Sequence, residues 1–199
     1  MSHPASQIIR DEHRALAAVL RSVVMLAEQG PGDQPDRFFD VLRAMLFYID
    51  EFPERLHHPK ESNLLFPKIA RAEPAMLDLI GKLEADHMDG EGRVRELQHL
   101  LLAWELIGES RRQVFVDGAA AYIKFYLEHM RIEETHVLPA AERSLSKQEW
   151  DELEQAFRTD PDPLATGMHD SSYDRLFTRI VLSAPAPIGV GAALVKERA

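Results

Sequence analysis

The feature that most restricts what this chain can fold into is a polar pattern that occurs twice in helix-forming sequence. The stretch HHPKESNLLFP sets His57 and Glu61 four residues apart, with Pro67 six residues after Glu61. The stretch HMRIEETHVLP repeats the arrangement 72 residues later with His129, Glu133 and Pro139. A single histidine precedes each stretch, His13 in RDEHRAL and His87 in EADHMDG, and these two are 74 residues apart. Each half therefore reads His, then HxxxE. Residues i and i+4 share one face of a helix, so each HxxxE presents an imidazole beside a carboxylate.

Five segments around these residues carry helical periodicity. Residues 5–29 repeat Ile9, Leu16, Leu20, Val23, Val24 and Ala27 on one face, with Ser6 expected as N-cap and Gly30-Pro31-Gly32 as the stop. A second segment begins near Pro35 and runs through Phe38, Val41, Leu42, Met45 and Ile49 to about Glu73, interrupted by Pro53 and Pro59, each of which is expected to bend it or break one backbone bond. The third, about residues 74–108, carries Leu77, Ile80, Leu83, Val94, Leu97, Leu101 and Leu102, with Gly81, Gly90 and Gly92 as local weak points. The fourth, about 110–142, has Val114, Ala121, Phe125, Met130 and Val137 on its stripe. A short fifth helix, 147–157, follows Ser146 with Glu149 in capping-box position. There is almost no strand signal, and short connections imply antiparallel neighbours. The expected class is all-α, a four-helix bundle over residues 1–158 with a short fifth helix. Residues 159–199 are expected to be a C-terminal extension that packs on the bundle or mediates association, SYDRLFTRIVL within it being a candidate short helix.

Counting from each histidine to its adjoining turns at ~1.5 Å per residue brings all four to roughly one height of the bundle. Four imidazoles and two carboxylates meeting there are costly in an apolar core unless something compensates them. Two hard-to-borderline divalent cations would do so, since carboxylates can bridge two metals and imidazoles suit iron in the outer positions. The candidate metal ligands are His13, His57, Glu61, His87, His129 and Glu133. A lone core histidine or a lone HxxxE pair is ordinarily structural; the co-occurrence of six such residues at one level is what points to a dinuclear site. His58, three before Glu61, Glu134, beside Glu133, and Glu91, four after His87, are left open as further members. His136 is expected to face outward or bond locally, and His3, His99 and His169 to lie on the surface. Tyr48, Tyr122 and Tyr126 are expected to be packing residues. Manganese or zinc would suit similar donors.

Composition removes other chemistries. With no cysteine among 199 residues, disulfides, iron–sulfur clusters, thiolate haem and cysteine zinc sites are excluded. A formal charge of −10 argues against nucleic acid and against an anionic membrane as partner. No secretory signal and no apolar run of transmembrane length stands out, so a cytoplasmic location is expected. Hydrolytic enzyme motifs are missing too: HExxH, GxSxG and a phosphate-binding glycine loop are absent.

Over about residues 5–145, and most of all in HHPKESNLLFP, the chain resembles the hemerythrin-like (HHE cation-binding) family. The resemblance implies an antiparallel up-down four-helix bundle with an oxo- or hydroxo-bridged non-haem di-iron centre, two iron ions as cofactor, and Glu61 and Glu133 bridging both. It departs from the oxygen-carrying members, which have a second histidine where this chain has Glu91, and an aspartate at longer spacing in place of the second HxxxE. The set is similar to bacterial members linked to nitric-oxide stress, iron–sulfur repair, iron sensing or redox sensing. The function this implies is a di-iron protein that acts on or senses O2, NO or peroxide. The alternative is an iron-responsive sensor or regulatory module without turnover, with a protein partner or a second copy of the chain as its target. A third reading keeps the bundle as an interaction protein with a vestigial polar cluster.

Overall fold

A computed structural model of the chain describes residues 3–160, 162–166 and 180. Helix α1 is Pro4–Gln29. Proline at its first turn needs no donor, because that N–H would be unpaired anyway. The helix thus starts two residues before the expected cap, and Ser6 lies inside it, donating from Oγ to Glu142 Oε1 at 3.1 Å. Gly30, at φ 80°, ends it.

Helix α2 spans residues 35–72 as one rod, α-helical at Pro35–Ile49, π-helical at Asp50–His57 and Glu61–Leu65, and α-helical again at Phe66–Ala72. The prolines do not break it. Proline has no N–H to give and its ring crowds the carbonyl four residues back; the widened π turns absorb both defects without ending the helix. Helix α3 is Leu77–Ile107, helix α4 spans residues 112–144, and helix α5 is Lys147–Arg158. The capping box at Ser146 and Glu149 forms as expected. Within α4 a π turn, Glu133–Val137, precedes Pro139 just as Glu61–Leu65 precedes Pro67. Among the described residues there is no strand.

Consecutive helices from α1 to α4 pack on one another, and α1 closes the ring against α4. Two separate apolar clusters hold the bundle. One contains Leu16 to Ala27 of α1, Phe38 to Phe52 of α2, Val94 to Trp104 of α3 and Phe115 to Met130 of α4. The other contains Ala5 and Ile9, Leu65 to Ile69, Ile80 and Leu83, and Ile132 to Ala141, roofed by Trp150, Leu153 and Phe157 of α5. Each helix runs from one cluster to the other, in alternating sense, so the bundle is antiparallel and up-down. The histidines and glutamates singled out above fall between the clusters on every helix.

Two periodicity expectations shift. The buried face of α4 carries Phe115, Ala119, Tyr122 and Tyr126, while Val114 and Ala121 are exposed. Leu102 on α3 is likewise exposed. The tyrosines win the inward face because their hydroxyls find a buried acceptor, described below. Of the extension, Asp162 is buried and the single turn Pro163–Thr166 lies on α1, with Ile180 buried in the first cluster. The rest of the candidate helix in SYDRLFTRIVL, and His169, lie outside the described residues.

Gly90 does not weaken α3; it makes room. A Cβ there would sit 2.2 Å from Tyr126 Oη and 3.0 Å from Glu54 Oε1, whereas one at Gly81 or Gly92 would meet nothing within 4 Å. Gly90→Ala should therefore destabilise by about 1–3 kcal/mol in urea denaturation. Gly81→Ala and Gly92→Ala should gain up to about 1 kcal/mol from helix propensity.

Candidate metal centre

Between the two apolar clusters the interior is polar and closed. His13, His57, His58, His87, His129, Glu61 and Glu133 are all buried, the two glutamates almost completely. The π turns begin at these glutamates: Phe66 N–H donates to the Glu61 carbonyl and Leu138 N–H to that of Glu133. The proline six residues on is the local sequence reason for the same widened turn in both halves.

All six expected ligands come together. The Nε2 atoms of His13 and His57 are 3.2 Å apart, and those of His87 and His129 are 3.0 Å apart. Glu61 Oε1 lies 3.2 Å from His57 Nε2 and 4.0 Å from His13 Nε2, while its Oε2 is 3.5 Å from His87 Nε2. Glu133 Oε1 lies 3.1 Å from His129 Nε2 and 3.8 Å from His87 Nε2, and its Oε2 is 3.4 Å from His13 Nε2. Each carboxylate thus faces imidazoles of both halves. All four oxygens are buried, and the polar atoms that face them are the Nε2 atoms of these rings. Buried acceptors of this kind carry a desolvation cost that a cation would remove.

A seventh member joins them. His58 stacks on the His87 ring at 4.2 Å between centroids, and donor atoms of His58, Glu61, His87 and His129 lie within 4.8 Å of one another. A second such group is His13, His57 and Glu61. Glu91 is not part of the site; it is exposed and paired with Arg95. His136 is exposed and bonded to Thr135, as expected, and His99 is exposed. His3 caps α1 and stacks on Trp150 instead of standing free on the surface.

The outer nitrogens explain how the rings are aimed. His57 Nδ1 is 2.6 Å from Glu12 Oε2, His13 Nδ1 3.1 Å from Glu134 Oε1, His58 Nδ1 3.1 Å from Glu54 Oε2 and His129 Nδ1 3.5 Å from Asp86 Oδ2. An ionised carboxylate can only accept, so Nδ1 of His13, His57 and His129 carries a proton. His87 Nδ1 is 2.9 Å from Ser62 Oγ, whose own hydrogen goes to Glu84 Oε2 at 2.9 Å, so Ser62 accepts here as well. Each ring is thereby aimed with its Nε2 toward the interior, where a cation would take the place of the proton on that nitrogen, the usual support of a metal-ligating histidine.

These supports follow the duplication. Glu12 and Asp86 immediately precede His13 and His87, and Ser62 and Glu134 immediately follow Glu61 and Glu133. The acidic or polar residue adjoining each repeated position was the available signal. The tyrosines are donors and not mere packing: Tyr122 and Tyr126 both donate to Glu54 Oε1, and Tyr48 donates to Asp162 Oδ2. Glu54 and Tyr126 occupy equivalent places in the two halves, 72 apart.

Charge inside the layer is balanced by protons when no cation is present. Burial opposes charge on His57, but Glu61 and Glu12 outweigh it and hold its pKa well above that of an ordinary imidazole. Burial likewise opposes charge on His129, and the adjacent Glu133 raises it to about 9. Burial favours protonation of Glu133, but His129 and His87 outweigh it and hold the carboxyl well below the usual range. His58 is pushed well below 6.5 by burial and by the neighbouring imidazoles.

Fold and interior together define an up-down four-helix bundle built around a cluster of metal-ligating groups. The chain belongs to the family described as hemerythrin HHE cation binding domain, whose pattern matches residues 5–141. Comparison with curated proteins gives no significant match. No helix among the described residues is long and apolar enough to cross a membrane.

Burial raises Glu54 to about 7, despite its bonds from Tyr126 and Tyr122. A carboxyl raised above its unfolded value favours the fold while protonated, and that stabilisation is lost as pH rises through the folded pKa. Between pH 6 and 8 the metal-free protein should lose about 1 kcal/mol by this route. Urea denaturation of Glu54→Gln should show a correspondingly flatter profile than the wild type.

Proposed function

We propose that this protein holds two iron ions in its central polar layer and binds O2, NO or peroxide at one of them. The observation that carries the reading is the unequal division of the imidazoles. His58, His87 and His129 group on one side and His13 and His57 on the other, with Glu61 and Glu133 facing both. The donor set of nitrogen and carboxylate oxygen without sulfur suits ferrous and ferric iron. Three imidazoles and two bridging carboxylates would occupy most positions of one ion, while the ion with two imidazoles keeps room for a ligand.

A small cavity lies on that second side. It holds about 20 Å³, enough for a molecule of water size. His13 and His57 reach it together with His58, and Leu16, Phe52, Leu56 and Met130 supply apolar walls. Met130 stands 72 residues after His58, so the same place in the two halves carries a third imidazole on one side and an apolar wall on the other. Bound iron would supply Lewis acidity and electrons. The chain's own residues do the rest: Glu12, Glu54, Asp86, Glu134 and Ser62 orient the rings, and the apolar walls keep bulk water from the ligand.

Anaerobic titration of iron into the metal-free protein should reach two ions per chain, with absorption bands that change on adding O2 or NO. Glu61→Ala and Glu133→Ala should abolish that stoichiometry and remove the rise in melting temperature on loading; unchanged iron content in both variants would end the proposal. Glu12→Ala should weaken iron binding by about 10–100-fold, the usual effect of deleting a group that orients a ligating histidine. Competition with a chelator measures it.

A further inference from the structure

Part of the rim of the cavity beside His13 and His57 is formed by residues that the family match does not reach. Its rim includes Asp160 and Asp162, beyond the matched residues 5–141. This segment is fastened at three places. Lys60 Nζ, on the turn of α2 next to Glu61, donates to the carbonyls of Thr159 at 2.7 Å and Asp160 at 3.1 Å. Tyr48, fully buried on α2, donates to Asp162 Oδ2, while Asp162 Oδ1 accepts from the N–H of Leu164 at 2.8 Å. The Asp162 N–H donates to Glu12 Oε1 at 3.3 Å, and the other oxygen of Glu12 holds His57. A segment outside the domain therefore touches the group that aims a candidate ligand and also covers the space in front of it.

We propose that Thr159, Asp160 and Asp162 are the size filter of this cavity, deciding which ligands reach the position beside His13 and His57. The inference rests on the metal reading above and goes beyond it by assigning selectivity to a segment that is no part of the domain. The inner walls are contributed by side chains packed in the bundle, Leu16, Phe52 and Met130, which are buried and closely surrounded. Such walls do not move independently. The rim is different in kind. Its anchors are a lysine that bonds two carbonyls and one buried aspartate, each replaceable without disturbing the apolar clusters. With the segment seated, a ligand of one or two heavy atoms, or a narrow linear one, fits; with it released, the cavity opens toward Lys60.

The test uses the full chain, iron-loaded and oxidised, with azide as a narrow anion and phenol as a bulky one, each read by its charge-transfer absorption. Two variants loosen the rim differently: Lys60→Met removes a charge, and Tyr48→Phe removes only a hydroxyl. In parallel, amide hydrogen exchange of residues 159–166 is followed in the metal-free protein. Wild type should bind azide and exclude phenol. Both variants should keep two irons per chain, raise azide association and exchange of the segment about tenfold, the scale expected for losing one hydrogen bond to a charged group, and admit phenol. Lys60→Arg should restore the wild-type pattern. Faster exchange with phenol still excluded would overturn the filter, as would unchanged exchange in both variants. A response in Lys60→Met alone would also overturn it, by tracing the effect to charge at the mouth. Failure of the wild type to take up two irons would instead sink the metal reading on which the filter rests.

Discussion

A layer of buried carboxylates and imidazoles between two apolar clusters is the constraint around which the rest of the bundle is arranged. Glu61 and Glu133 are among the most deeply buried side chains of the described residues, and what faces their oxygens is imidazole nitrogen. Left alone, two such groups would cost several kcal/mol. The fold keeps them tolerable by placing imidazoles opposite, each ring tied from outside by an acceptor. The apolar clusters on either side lower the polarity around the layer, which strengthens the interaction of charges across it. Stability and function therefore oppose each other at this level. The apolar clusters hold the helices, and the polar layer is retained at the expense of core that could have been continuous.

The same layer accounts for the irregular helices. A regular α-helix carries i and i+4 on one face, which suffices for His57 and Glu61. His58 must also point inward from the next position along the same helix, about 100° away in a regular turn. The π-helical turns on both sides of His58 change that angle locally, and the prolines at 53 and 67 make such turns less costly by removing the N–H groups that a regular ladder would use. In α4, where Met130 stands at the corresponding place, one π turn at Glu133 is enough. Irregular backbone thus coincides with the number of side chains each helix delivers.

Much of this was legible from residues alone. The duplicated HxxxE motifs and the paired single histidines located the layer, because spacing along a helix converts directly into height and face. What escaped was everything decided across helices. The inward turn of Tyr122 and Tyr126, at the expense of Val114 and Ala121, depends on Glu54 of another helix and on the space left by Gly90. His58 could not be separated from His57 by period, since the backbone there departs from 3.6 residues per turn. Glu91 satisfied the i+4 rule but is carried outward on α3 to Arg95, where the regular helix leaves no means of turning it in. Asp162 belongs to a segment whose composition suggests only turns, and its burial follows from Tyr48 and Glu12, far away in sequence. Local pattern reports the face of a helix; it does not report which neighbour that face meets.

Duplication followed by divergence explains why the two sides of the layer differ. Copying a half with one histidine and one HxxxE yields a symmetric cluster in which two metal positions would be alike. Equal positions would share any small ligand equally, with no preferred direction of approach. The change that breaks the symmetry is small: an imidazole at residue 58 and a thioether at residue 130. One side gains a donor, and the other gains an apolar wall and a cavity of about 20 Å³. The supporting groups diverge in step, with Glu12 close on His57 and buried, and Asp86 farther from His129 and more exposed. The segment after α5 meets the bundle on the His57 side too, through Asp162 and Glu12. On the di-iron reading, the donor, the wall and the cover all differ along the one axis that would distinguish a filled metal position from an open one.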